Sequence, residues 1–295
     1  MPAFMPCRIV PPPVHVAQLV SHKNKLWRQP TLTVRFDDVP GYNTSGLSFT
    51  ELCTFVKNTV NTGLAPHVPG IEFLFLEPGT RHPADIRITF DSADGAWSYI
   101  GTDAQIIADT APTMNLGYVD HPLEPRETGD YGQVILHEFG HALGFGHEHQ
   151  SPLSTIEWNI PMIRSVMMAE PFCWTDADIA FNITDRYTSP YVTGGDVYDP
   201  LSIMHYWFPD SFIVNGNKWL VENTTLSYHD MVNLEKCYPK DPTVVTEDSD
   251  DEVDTTILVG ILISVIICVI IYLIIQSQLR RALPPVSVSP SQRGD

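Results

Sequence analysis

His137-Glu138-Phe139-Gly140-His141-Ala142-Leu143-Gly144-Phe145-Gly146-His147 reads H-E-x-x-H-x-x-G-x-x-H without a departure. Two histidines four residues apart lie one turn above each other on a helix, so His137 and His141 can offer two imidazole nitrogens to one metal ion. The surroundings predict that helix: Asp130 and Gln133 have the spacing of a capping pair, and Val134, Ile135, Phe139, Ala142 and Leu143 supply a broad apolar surface. Gly144 stands where the helix should stop, because glycine enters the left-handed region at little cost, and the turn it permits brings His147 back as a third ligand. Three neutral imidazoles suit Zn2+ and leave one coordination position open for water, whose pKa then falls to about 7. Glu138, beside the first ligand, is placed to act as the general base.

About fifty residues further on, Tyr198-Asp199-Pro200-Leu201-Ser202-Ile203-Met204-His205-Tyr206 forms a second signal. The long histidine motif followed by Ser-x-Met-His-Tyr resembles the metzincin metalloproteases, and among them the astacin-like group, which also carries Glu after the third histidine, as Glu148 does here. The resemblance spans about Leu26 to Tyr238 and implies an α+β zincin catalytic domain with metalloendopeptidase activity. It implies His137, His141 and His147 as zinc ligands, Glu138 as catalytic base, Met204 on a tight turn beneath the metal, and Tyr206 as a further ligand or transition-state donor. It further implies that Glu148 pairs with a processed N-terminus. Of the two disulfides usual in the group, only a Cys53–Cys237 pair is plausible. An edge strand ahead of the zinc helix would take the substrate backbone; Thr113 to Gly117 is the candidate, with an ordinary sheet strand as the alternative. His149 and His205 do not fit the motif spacing and are read as neighbours of the site or surface residues.

The rest of the chain agrees with a globular enzyme. Of 295 residues, 43% are hydrophobic and 10% aromatic, enough for a sizeable core, and 17 Lys+Arg against 35 Asp+Glu give a net charge of -18, which argues against nucleic acid as a partner; peptides or proteins as substrates are what the resemblance implies. Five scattered cysteines contain no C-x-x-C pair. TLTVRF (31–36) and IRITF (86–90) alternate as half-buried strands do, and Phe49 to Thr62 has helical periodicity. The expected domain places the sheet and two helices before a cleft near His147. After it the chain should be mostly irregular until a short helix near Leu226 to Cys237, opened by Ser227 and Asp230.

Residues 257–275, ILVGILISVIICVIIYLII, carry no charge and nearly span a hydrocarbon core of roughly 30 Å as a helix. The organisation read from the sequence is therefore an N-terminal segment 1–25 expected to be disordered, a catalytic domain 26–240, an acidic linker 241–256, one transmembrane helix 257–275 and a short tail 276–295. Arg280 and Arg281 behind the helix and acids before it favour a cytoplasmic C-terminus and an extracellular or lumenal domain. Sequons at Asn43, Asn182 and Asn223 point the same way. Against this orientation stand the lack of a visible signal peptide and the short tail, which resemble a tail-anchored protein. Two other readings of the whole stay open: a non-cleaving binding protein on the same fold, which the presence of Glu138 opposes, and a zinc hydrolase for a non-peptide substrate.

Overall fold

The computed structural model describes residues 25–37, 48–117, 132–170, 172–187, 197–205, 207–214 and 223–240. Asp130, Tyr206, Asn43 and the apolar run 257–275 lie outside the described residues. No helix among the described residues is long and apolar enough to cross a membrane.

Five strands form one sheet in the order β2-β1-β3-β5-β4: β1 Thr31–Phe36, β2 Glu72–Phe75, β3 Ile86–Thr89, β4 Ala96–Ser98 and β5 Met114–Leu116. The first four in that order run parallel, and β4 pairs antiparallel with β5, Trp97 opposite Asn115. Helix α1, Phe49–Gly63, opens with a capping box between Ser48 and Glu51 and turns Leu52, Cys53, Val56 and Val60 into the core. Beside it runs α2, Gly132–Ala142, which carries the histidine motif. The result is a mixed α+β domain, as the sequence implied.

Two expectations need correction. The alternating strands were to be half-buried, yet every residue of β3 is buried. Arg87 reaches across the outer face of the sheet and donates to the carbonyls of Ala84, Ala104, Ile107 and Ala111, while Arg35 beside it holds Asp37, Asp109 and the His82 carbonyl. Folding that loop over the sheet covers its polar face, and the guanidinium forks satisfy backbone oxygens that would otherwise be stranded. The second correction concerns the region after His147, which is more helical than its Pro- and Trp-rich composition suggested. Helix α3, Ile160–Met167, and helix α4, Asp176–Ile179, precede the expected α5, Tyr228–Cys237. Asn159 and Thr175 cap them as N-cap acceptors, and a π turn, Ala180–Thr184, follows α4. These helices bury Ile163, Met167, Ile179 and Ile183 with Phe208 and Phe212 in a second core, separate from the sheet core of Leu32, Ile88, Leu52, Ile135 and Phe139.

Other local features bear on earlier readings. Of the two cysteines the resemblance pairs, Cys53 is buried on α1 and Cys237 half-buried at the end of α5. The Asn182 sequon has its side chain buried at 2% exposure with Nδ2 donating to the Asp178 carbonyl, and Asn223 Nδ2 donates to the carbonyls of Pro200 and Ser202. Both amides serve the fold, and neither is presented as a glycan acceptor.

The end of α2 is built as its sequence required. Gly144 has φ +98°, its N–H bonds the His141 carbonyl, and Phe145 N–H bonds the Gly140 carbonyl, the paired bonds of a Schellman turn. The carbonyls left over at Ala142 and Leu143 accept from Trp27 Nε1 (2.7 Å) and Tyr238 Oη (2.5 Å). A side chain at position 144 would carry the left-handed penalty and press on Leu26. Gly144→Ala is therefore expected to destabilise the domain by about 1–2 kcal/mol, read as a lowered denaturation midpoint at unchanged slope; an unaltered midpoint would show that the turn tolerates a Cβ.

Candidate metal centre

The helix α2 stacks His137 and His141 on its inner face, and the Gly144 turn returns His147, so the three rings meet with centroids 4.7 to 5.4 Å apart. One nitrogen from each imidazole falls in a group whose members all lie within 4.8 Å of one another, and all three residues are buried. The other nitrogen of each ring is held by an oxygen: His137 Nδ1 by the Ile203 carbonyl (2.8 Å), His141 Nδ1 by the Phe145 carbonyl (2.7 Å), and His147 Nδ1 by Gln150 Oε1 (3.2 Å). An Nδ1–H donated in this way selects the tautomer whose Nε2 lone pair is available. The Nε2 atoms of His141 and His147 stand 3.1 Å apart. Two nitrogens about 2.0–2.1 Å from a common zinc are roughly 3.3 Å apart at the tetrahedral angle, so this donor set fits zinc.

Burial tunes the same groups. It pushes the His137 pKa down to about 4 and holds His147 well below the usual histidine range, in the latter case helped by the neighbouring imidazoles. Neutral rings are the form that can ligate. Glu138, one residue past His137 on the same helix, is fully buried. Glu148 is buried as well, and desolvation raises its carboxyl pKa to about 8 against the bond from Asp199 N–H.

Met204 packs against α2 at Gly140. A Cβ on Gly140 would come within 2.4 Å of Met204 Sδ, so the first glycine of the 137–147 stretch leaves room for the sulfur between the first two histidines. Glu148 N–H bonds the Met204 carbonyl, tying the short 3-10 turn after His147, Glu148–Gln150, to this turn. Met204, Glu148, Ser202, Asp230 and Leu234 line a small cavity under α2. His149 and His205 are not surface residues: His149 packs on Trp158 and Phe208 in the second core, and His205 Nε2 meets Tyr198 Oη at 2.7 Å.

Several residues that shape the site had no motif to announce them. Gln150, 1% exposed, takes Tyr187 Oη–H and the His147 ring on its oxygen and donates from Nε2 to Phe181 and Asp185 carbonyls. Its three-residue spacing from His147 was the only available signal. The substrate-strand expectation is overturned: Thr113 to Gly117 contains β5, which bonds β3 on one side and β4 on the other and has no free backbone edge. Among the described residues, β4 is the strand on this side of the sheet that pairs only once. Asn115 and Gly117 hold it there, the carboxamide bonding Asp91 and Gly95 and the bare glycine allowing those carbonyls within reach.

No family model matches the chain, and no curated protein does. Solved structures do. One structure of myroilysin is 29% identical with TM-score 0.59, covering 73% of this chain and 96% of that one. A second myroilysin crystal structure is 27% identical with TM-score 0.52, covering 81% of this chain and 92% of that one. The chain is an astacin-like zinc metalloprotease. A more distant likeness, 17% identical with TM-score 0.46 over 73% of this chain and 95% of that one, is to high choriolytic enzyme 1, a hatching-enzyme zinc-protease from the medaka fish Oryzias latipes; it adds nothing to that conclusion.

In this astacin-like domain the contact between Gly140 and Met204 is testable as a pair. Gly140→Ala should cost about 1–3 kcal/mol through overpacking, and Met204→Ala about 2–5 kcal/mol through the cavity it leaves. The double variant should lose at least about 1 kcal/mol less than the sum, because the new methyl enters the vacated space. Strict additivity in denaturant melts would show that the two do not share that space.

Proposed function

We propose that the chain is a membrane-tethered zinc endopeptidase in which His137, His141 and His147 hold the metal, Glu138 is the general base and Tyr206 a transition-state donor. The observation that carries this reading is the convergence of three buried imidazoles whose Nδ1 atoms are all tied back to oxygens. Zinc bound there supplies a Lewis acid for the scissile carbonyl and a water acidified to a pKa of about 7. The Glu138 carboxylate takes the water proton and passes it to the leaving amine nitrogen. Its burial keeps bulk water from competing for that proton. The Tyr206 hydroxyl donates to the oxyanion that develops at the scissile carbonyl. The backbone of β4 replaces β5 as the edge along which a peptide adds as a strand, its pattern of pairing on one side supporting that reading. Glu148, by the astacin resemblance, pairs with a processed N-terminus, and its position with Asp230 on the cavity beneath Met204 supports that assignment.

In the same reading, residues 26–240 are the catalytic domain, 241–256 the linker, 257–275 the membrane helix and 276–295 the tail, with the domain extracellular or lumenal. With Asn182 and Asn223 engaged in the fold, this orientation rests on Arg280 and Arg281 behind the apolar run.

Two measurements test these assignments. Glu138→Ala should retain one zinc and lose nearly all peptide cleavage, whereas Tyr206→Phe should lose about a hundredfold in rate, roughly 3 kcal/mol, with little change in KM. Near wild-type cleavage by Glu138→Ala would overturn the mechanism. For orientation, protease added outside sealed microsomes should leave the catalytic domain intact until detergent is added; digestion without detergent would place the domain in the cytosol.

A further inference from the structure

Helix α5 does more than close the domain. Its N-terminus is a capping box in which Ser227 Oγ accepts from Asp230 N–H and Asp230 Oδ2 accepts from Ser227 N–H. A cap needs only that exchange. In α1 the equivalent carboxylate, Glu51, is exposed and its hydrogen bonds go back to Ser48. Asp230 is instead buried at 8% exposure and reaches a different part of the chain. Its Oδ1 accepts from Ser202 Oγ at 2.6 Å, and its Oδ2 accepts from the Ile203 N–H at 2.7 Å. The other end of the Ile203 peptide unit's residue, its carbonyl, is the acceptor that holds His137 Nδ1 at 2.8 Å. Asn223 fixes the same turn through the carbonyls of Pro200 and Ser202, and Ser202 Oγ in turn accepts from Met204 N–H.

We propose that Asp230 is a positioning residue for the metal site, orienting His137 through Ile203. A carboxylate on the Ile203 N–H sets where residue 203 lies and so where its carbonyl points, and that carbonyl selects the His137 tautomer and aims Nε2 at the metal. Residues that orient a ligand from behind typically change metal affinity by 10–100-fold when removed. Asp230 sits 93 positions beyond His137 in sequence, and its role in the helix cap conceals the second one. The inference rests on His137 being a zinc ligand, as proposed above.

Zinc competition against a calibrated chelator, run on the zinc-loaded catalytic chain alongside thermal melts, separates this role from helix capping. Asp230→Ala is expected to weaken zinc binding by about 10–100-fold. Asp230→Asn, whose amide oxygen can still accept from Ile203 and whose NH2 can donate to Ser202 Oγ, should recover most of that loss. Ser227→Ala breaks the cap and the bond to Asp199 while leaving Ile203 with its acceptor; it should lower Tm with zinc affinity within about twofold of wild type, since the ligand's support is intact. Zinc affinity that is unchanged in Asp230→Ala, or that falls equally in Ser227→Ala, would overturn the proposal. Should Asp230→Ala not fold, Asn223→Ala decides on the same readout: it weakens zinc binding if the turn positions His137, and an unaltered affinity refutes it. His137→Ala is the reference, because undiminished affinity there would remove the ligand assignment itself, whereas a loss there without one in Asp230→Ala removes only this inference.

Discussion

The site depends on one constraint: three imidazoles must be buried together, uncharged, each with an unprotonated ring nitrogen facing inward. Burial by itself would leave each ring free to carry its proton on either nitrogen, and a ring protonated on the inward nitrogen could not ligate the ion. The oxygens of Ile203, Phe145 and Gln150 remove that choice by each taking an Nδ1–H. They come from three different places, the turn before Met204, the loop just after α2 and the segment after His147. The helix supplies spacing, and the surrounding chain supplies direction.

That division explains why so much structure converges on the end of α2. The left-handed Gly144 stops the helix, Trp27 and Tyr238 take its last carbonyls, and Gly140 lets Met204 lie against it. Each contact joins a distant part of the chain to the same eleven residues. The second core of Ile163, Ile179, Phe208 and Phe212 then fixes the segment after His147 from the other side, through His149 and Gln150. The metal site lies where these two packed regions meet, so its geometry reports on both.

The sheet shows a related economy. Arg35 and Arg87 stand opposite each other on β1 and β3, and alternation alone would send both to solvent. The loop they hold by its carbonyls covers that face and delivers the chain to β5 beside β3, which puts β4 outermost. Which strand is left at the edge of the sheet therefore depends on a loop closed by buried charge.

The sequence by itself determined the metal and its ligand set, because a four-residue helical spacing and a glycine stop are local properties of the chain. It likewise determined β1, α1 and α5, whose capping residues and apolar periods are complete within a dozen residues. Tertiary structure alone decided what those local signals cannot contain. The burial of Arg87, the inner place of β5, the helices α3 and α4 packed against Phe208 and Phe212, and the burial of Asn182 all depend on partners brought close by folding. The same holds for Asp230, where a residue that reads locally as a helix cap touches the turn behind the first histidine only because the chain returns there.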